Sequence, residues 1–403
     1  MASKPAFALL EAFGSPSWFR DAFNWEQDDI YKWMEKASNG EEGGAATKDP
    51  EIQKLLAETL KNLKLVALPN GAEYKNPRAP PDSHFYRKLN PKFTAPRPVG
   101  AKFDVREWTL SHRGQDAKTR SCPWWNPYDL LGHFLSLLGP APQTANRNTF
   151  FLPLTAVYAR WCSCIAGHKP DDFAWTDPAR NGAGDWPFMY QCTWRSDGHK
   201  TNPRKWFFLG ASTGGDDWKR DVVGPWKYAV QRQRFNMMMA NLRMTLLPPR
   251  AFQDRTAPEQ NGGSGATWGN CAETYPFVFS VFPQKPQNSN LYGLALSKNF
   301  MRSRKLTAYD EYRGKGTWNF VIAPCRNCSA LLSTAGANEA FFARTYEWDD
   351  APEKPKSLLE SAEPVAVVKE AAAKLASATK EAAKLVSGPA SSSTAGTKTN
   401  KVV

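Results

Sequence analysis

Histidine is scarce in this chain, with five in 403 residues and none spaced so that two could share a metal ion. That excludes the helical histidine-pair zinc motifs. No apolar run approaches the ~20 residues that cross a bilayer. The short apolar patch from Phe7 to Leu10 is broken at Glu11, so the sequence predicts neither a membrane span nor a secretory leader. Cysteine is sparse and odd in number, at seven. An odd set cannot be fully paired, which predicts a reducing compartment, cytoplasmic or nuclear and not secreted. Against these absences, 41% hydrophobic and 13% aromatic residues can fill a sizeable core. The length suits one large or two moderate domains.

Two short segments carry chemistry. Cys271-Ala272-Glu273 is followed further along by Pro324-Cys325-Arg326-Asn327-Cys328, and together they offer three thiolates and one uncommitted carboxylate. Three cysteine sulfurs can hold Zn²⁺ tetrahedrally and leave its fourth position open, which separates a hydrolytic zinc from a closed structural one. Glu273, two residues after a ligand and at a helix start, can stand beside the metal and move protons. The apolar run Trp318, Phe320, Val321, Ile322 and Ala323 before Pro324 reads as a buried strand, and Ser329 to Leu332 as helix. Cys325 and Cys328 then sit at a strand-to-helix turn, where helix N-terminal amides favour thiolates. A C-x-x-C alone is weak evidence, since reduced cysteines are commonly small core residues.

These residues resemble the zinc-dependent cytidine deaminase superfamily, whose signature is a His-or-Cys, any residue, Glu segment and a later Pro-Cys-x-x-Cys. The Cys-Ala-Glu form looks most like the free-nucleoside branch. The resemblance reaches from about Asn261 to Gly336. It implies an α/β fold of three layers, a central mixed sheet flanked by helices, with N- and C-terminal extensions. It also implies Zn²⁺ on Cys271, Cys325 and Cys328, with Glu273 as the catalytic acid and base. The implied activity is hydrolytic deamination of cytosine or a related amine-bearing base in a nucleotide or single-stranded nucleic acid. The alternatives are a free nucleoside or small heterocycle as substrate, or a zinc-stabilised binding protein without turnover. Three thiolates weaken the acidity of the metal, and Arg326 either offsets this by hydrogen bonding to sulfur or is a surface residue. The motifs lie farther apart than in compact deaminases, which implies an insertion. The ribose-holding Asn-x-Glu element is missing from Thr267 to Asn270.

Residues 1–100 read as a helical and proline-rich accessory region. Asp49-Pro50 signals a helix start, and Ile52, Leu55, Leu56, Leu60 and Leu63 recur at helical spacing up to about Leu68. Prolines at 77, 80, 81, 91 and 96 forbid regular structure in the following stretch. Residues 101–350 form the deaminase-like domain. There Tyr128 to Leu138 and Leu154 to Ile165 read as buried helices, the latter holding Cys162 and Cys164 as packing residues, like Cys122 and Cys192. Phe188 to Trp194 and Lys205 to Ser212 read as a hairpin. Lys227 to Leu247 reads as a core-facing helix, Leu291 to Ser297 as a strand and Lys298 to Gly316 as a polar connection. Residues 351–403 form an Ala/Lys/Ser-rich tail, whose near repeats at Lys369 and Lys380 predict a marginal helix before a disordered end.

The net charge of +13 has a centre. Between Arg195 and Arg250 eleven basic residues face four acids, interleaved with Trp206, Phe207, Phe208, Trp218 and Trp226. Phosphate attraction with base stacking is how single-stranded nucleic acid is held. A solvated basic face over core aromatics has the same composition.

Overall fold

Proline's fixed φ suits the first position of a helix, and the Asp49 carboxylate accepts the Glu51 amide at 3.0 Å. Helix α2, Pro50–Ala67, starts there as the sequence predicts. It belongs to a computed structural model that describes residues 22–67, 108–113, 119–142, 145–166, 186–196, 204–214, 226–242, 268–281, 288–302 and 317–343. The unit Lys354–Val403, with the predicted tail helix, lies outside the described residues, as does the proline-rich segment 69–98.

The partner surface that the apolar face of α2 requires is helix α3, Pro127–Ser136. Helix α1, Gln27–Ser38, packs on α2 and on α4, Leu152–Ile165. Trp33 of α1 meets Trp161 of α4 edge-on at 5.3 Å. The N-terminal helices therefore share a core with the rest of the described chain. Every residue of α4 is buried, Cys162 and Cys164 among them, and Cys122 and Cys192 are buried too. These four cysteines are packing residues, as expected.

The predicted hairpin forms as β3, Met189–Ser196, and β4, Lys205–Ala211. β5, Leu291–Ser297, pairs on the other side of β3, and β6, Val321–Ile322, is the outermost strand, giving the order β4-β3-β5-β6. The expected mixed sheet is corrected here: every hydrogen-bonded pair in it is antiparallel. The reason is that β3 lies between β4 and β5, which run parallel to each other but never touch.

Alternating side chains of β3 meet different layers, as the two-residue period requires. Tyr190 meets Tyr158 of α4 edge-on, and Trp194 stacks at 4.1 Å on Phe151 just before α4. On the other face Arg195 donates to the carbonyl of Ser280, the last residue of α6, Thr274–Ser280. Helices thus cover both faces of the sheet.

Three expectations need adjustment. The apolar run before Pro324 yields only the two-residue β6; Thr317 to Phe320 form a turn closed by Phe320 N–H on Thr317 O, and Ile322 is 43% exposed because β6 has no strand beyond it among the described residues. The polar connection begins with a 3₁₀ turn, Lys298–Arg302, that buries Phe300 and Met301. A second, two-stranded sheet, β1 (Trp108–Arg113) with β2 (Thr119–Trp124), was not foreseen.

Helix α5, Trp226–Leu242, buries Val230, Arg234, Met238 and Leu242 along one stripe. α7, Arg326–Ala335, ends on Gly336 in the left-handed conformation at φ 72°.

Candidate metal centre

Chain order brings the two motifs to one end of the sheet. β4 ends at Ala211, and Thr213 N–H then binds Asn270 O at 3.1 Å, which seats the turn before Cys271. β6 runs through Pro324 into α7, with Cys325 as its N-cap residue. Cys271 sits in a turn three residues before α6, so that helix opens at Thr274 and not at Cys271 itself; Pro276 falls within its first turn, where proline is tolerated. The turn needs a glycine opposite. A Cβ on Gly210 of β4 would lie 2.3 Å from Ala272 O and 2.5 Å from Pro276 Cδ.

The three sulfurs converge. Cys325 Sγ lies 3.4 Å from Cys271 Sγ and 3.6 Å from Cys328 Sγ, and all three fall within 4.8 Å of one another. Tetrahedral Zn–S bonds of about 2.3 Å put sulfurs ~3.8 Å apart, so the spacing fits a metal held by three thiolates. Cys271 and Cys325 are half-buried and Cys328 is buried. Hydrogen bonding from the Cys271 and Cys328 thiols, helped by the Cys328 and Asn327 amides at the start of α7, pulls Cys325 down to about 3. The same contacts push Cys271 and Cys328 well up.

Glu273 is buried at 7% exposure, at the N-cap of α6 without a capping side-chain bond. Burial first, and the neighbouring Cys325 charge second, push its carboxyl up to about 7. Its own backbone N–H, the Cys328 thiol and the Arg234 charge act the other way. The structure thus brings together the three cysteines of the two motifs, with Glu273 buried two residues after Cys271. Arg326, by contrast, is exposed on α7.

The basic tract does not survive as one surface. Arg195 is buried and donates to Ser280 O and to Asn288 Oδ1. Arg234 is fully buried in an ion pair with Asp129, N···O 3.0 Å. Phe207 and Phe208 are core residues, and Lys205 donates to Ala145 O. Arg204 and Arg232 are exposed. Trp218, Lys219, Arg220, Arg243 and Arg250 lie outside the described residues.

Arg234 is the residue that sequence reading missed as part of the site. Its guanidinium donates to Cys271 O at 2.9 Å. A signal was available: Arg234 lies four residues from both Val230 and Met238, inside the apolar stripe, where an unpaired charge is not tolerated. No protein-family model, curated protein or solved structure matches this chain.

Proposed function

We propose that this chain is a hydrolytic deaminase whose metal is zinc, acting on an amine-bearing heterocycle. Glu273 carries the reading: it is a buried carboxyl two residues from Cys271, one of three converging thiols, and a purely structural metal site needs no acid there. Cys271, Cys325 and Cys328 would hold the zinc, which when bound would supply Lewis acidity at the site. Glu273 would take one proton from the attacking water and pass it to the ring nitrogen, then carry the proton of the added hydroxyl to the departing amine, which leaves as ammonia. The balance is one water consumed and one ammonia released, with the C–NH₂ bond exchanged for C=O.

The order hairpin β3–β4, helix α6, strand β5, helix α7, with helices on both sheet faces, supports a three-layer deaminase-like arrangement. Burial takes Arg195 and Arg234 out of the tract's eleven basic residues, and Phe207 and Phe208 out of its five aromatics, which weakens the case for a nucleic acid. A free base, nucleoside or nucleotide therefore fits better than a polymer. Ammonia release from the purified chain, measured against nucleosides, nucleotides, small aminoheterocycles and single-stranded oligonucleotides, tests this. Turnover confined to oligonucleotides would reverse the substrate order, and none on any of them would leave a zinc-binding protein without catalysis.

A further inference from the structure

The proposed chemistry leaves one buried group at the site unused. Arg234 has no exposed surface, and each end of its fork holds something different. Nη1 reaches Asp129 Oδ2 at 3.0 Å and Thr213 Oγ1 at 3.5 Å; Nη2 reaches Ala211 O and Cys271 O, both at 2.9 Å. The Tyr275 ring lies 5.5 Å from the guanidinium carbon. One planar group therefore ties α5 to α3, to the end of β4 and to the turn carrying a ligand. Asp129 is itself held in place, since its N–H donates to Asn126 Oδ1 at 2.8 Å and Asn126 Nδ2 donates back to its carboxylate.

The three cysteines are not equally supported. Cys325 caps and Cys328 lies in the first turn of a ten-residue helix, whereas Cys271 precedes a helix of only seven residues. Its carbonyl is held by Thr274, through N–H and Oγ1, and by Arg234. Thr274 belongs to the same turn and moves with it. Arg234 ties that turn to the rest of the fold.

We propose that Arg234, braced by Asp129, is the positioning residue of the metal centre, fixing the Cys271 carbonyl and so the direction from which the Cys271 thiol enters the cluster. The proposal rests on the metal-binding reading of the three cysteines. Arginine suits the task because its donors stand in a rigid fork, while lysine offers one point charge that cannot span Asp129 and Cys271 O together. Arg195 provides an internal control. It is buried too and binds the far end of the same α6 at Ser280 O, but it has no hydrogen bond to the cysteine turn.

The test is chelator-competition zinc affinity, with the thiolate-to-cobalt charge-transfer band of the Co²⁺-loaded chain, on full-length wild type, Arg234→Lys, Arg234→Met and Arg195→Met. Both Arg234 variants should lose about 10- to 100-fold in zinc affinity, as supports of metal ligands do, and should shift the cobalt band. Arg195→Met should unfold at lower temperature with zinc affinity and band unchanged. If Arg234→Met does not fold, Arg234→Lys decides alone. Wild-type affinity and spectrum in Arg234→Lys, or an equal loss in Arg195→Met, overturns the positioning role. A wild-type chain that takes up neither zinc nor cobalt overturns the metal reading itself, and is seen before any variant is compared.

Discussion

Tyr275 lies flat against Trp124, ring centroids 4.0 Å apart and planes 1° from parallel, and its hydroxyl donates to Pro123 O at 2.9 Å. The helix after the Cys271 turn is thereby pinned to the second strand of the small two-stranded sheet. Stacked aromatic pairs contribute roughly 0.5–1.5 kcal/mol beyond the area they bury. The small sheet thus braces the helix that follows the Cys271 turn from outside the main sheet.

The protein should carry one zinc per chain when purified without chelators. Three thiolates converging at helix starts give high affinity. Elemental analysis of wild type and of the Cys325→Ser, Cys328→Ser double variant checks it, and undiminished zinc in the variant would remove these residues as ligands.

Glu273→Gln should fold, keep its zinc and lose turnover. The amide preserves size and polarity but cannot carry a proton, and one general acid–base group is typically worth ~10²- to 10⁴-fold. Because the same carboxylate serves several transfers, the loss belongs at the upper end. Should zinc or thermal stability disappear together with activity, Glu273 has a structural role.

Gly210→Ala should destabilise the fold by about 1–3 kcal/mol, the usual cost of overpacking, and should lower zinc occupancy as well. The added methyl would stand 2.3 Å from Ala272 O, where only the turn carrying Cys271 can give way. Urea unfolding and metal analysis of the same preparation measure both effects. A wild-type midpoint with full zinc would show that the turn does not seat against β4.

His133 gives a pH signature. Burial lowers it to about 3, and its Nδ1 lies 3.0 Å from Thr59 Oγ1. A folded pKa below the unfolded value of about 6.5 means that the stability is complete above pH 6.5 and is lost as pH falls toward 3. The loss runs at about 1.4 kcal/mol per pH unit. His133→Gln keeps a polar group for Thr59 and does not titrate. The gap in unfolding free energy between wild type and variant should therefore narrow between pH 6.5 and 4. A gap independent of pH would mean that His133 is not buried neutral.

What could be read in advance follows a physical division. Helical periodicity marked α2 and α5, and unbroken apolar or aromatic runs marked α3, α4, β3, β4 and β5. The two motifs placed the three converging cysteines, because thiols announce their chemistry by type. The ion pair of Asp129 with Arg234 stayed hidden, since its partners are 105 residues apart and neither position in its own helix names the other. The same blindness let Arg195 and Arg234 be counted toward a basic surface. The strand β2 was missed for a local reason: Pro123 within it argues against a strand except beside an unpaired edge, and a two-stranded sheet offers only such edges.

Among the described residues β6 has no strand beyond it, and Pro324 limits what that edge can recruit. An unpaired strand edge is a template for another chain, and proteins blunt such edges by keeping them short or placing proline there. β6 offers two residues, Val321 and Ile322, and two positions later Pro324 brings a residue with no amide hydrogen to donate. A second molecule approaching that edge finds too few donors to register against. The residue that turns the chain toward Cys325 also stops the sheet from growing between molecules, which leaves the exposed Ile322 a harmless side chain and not the start of a ribbon.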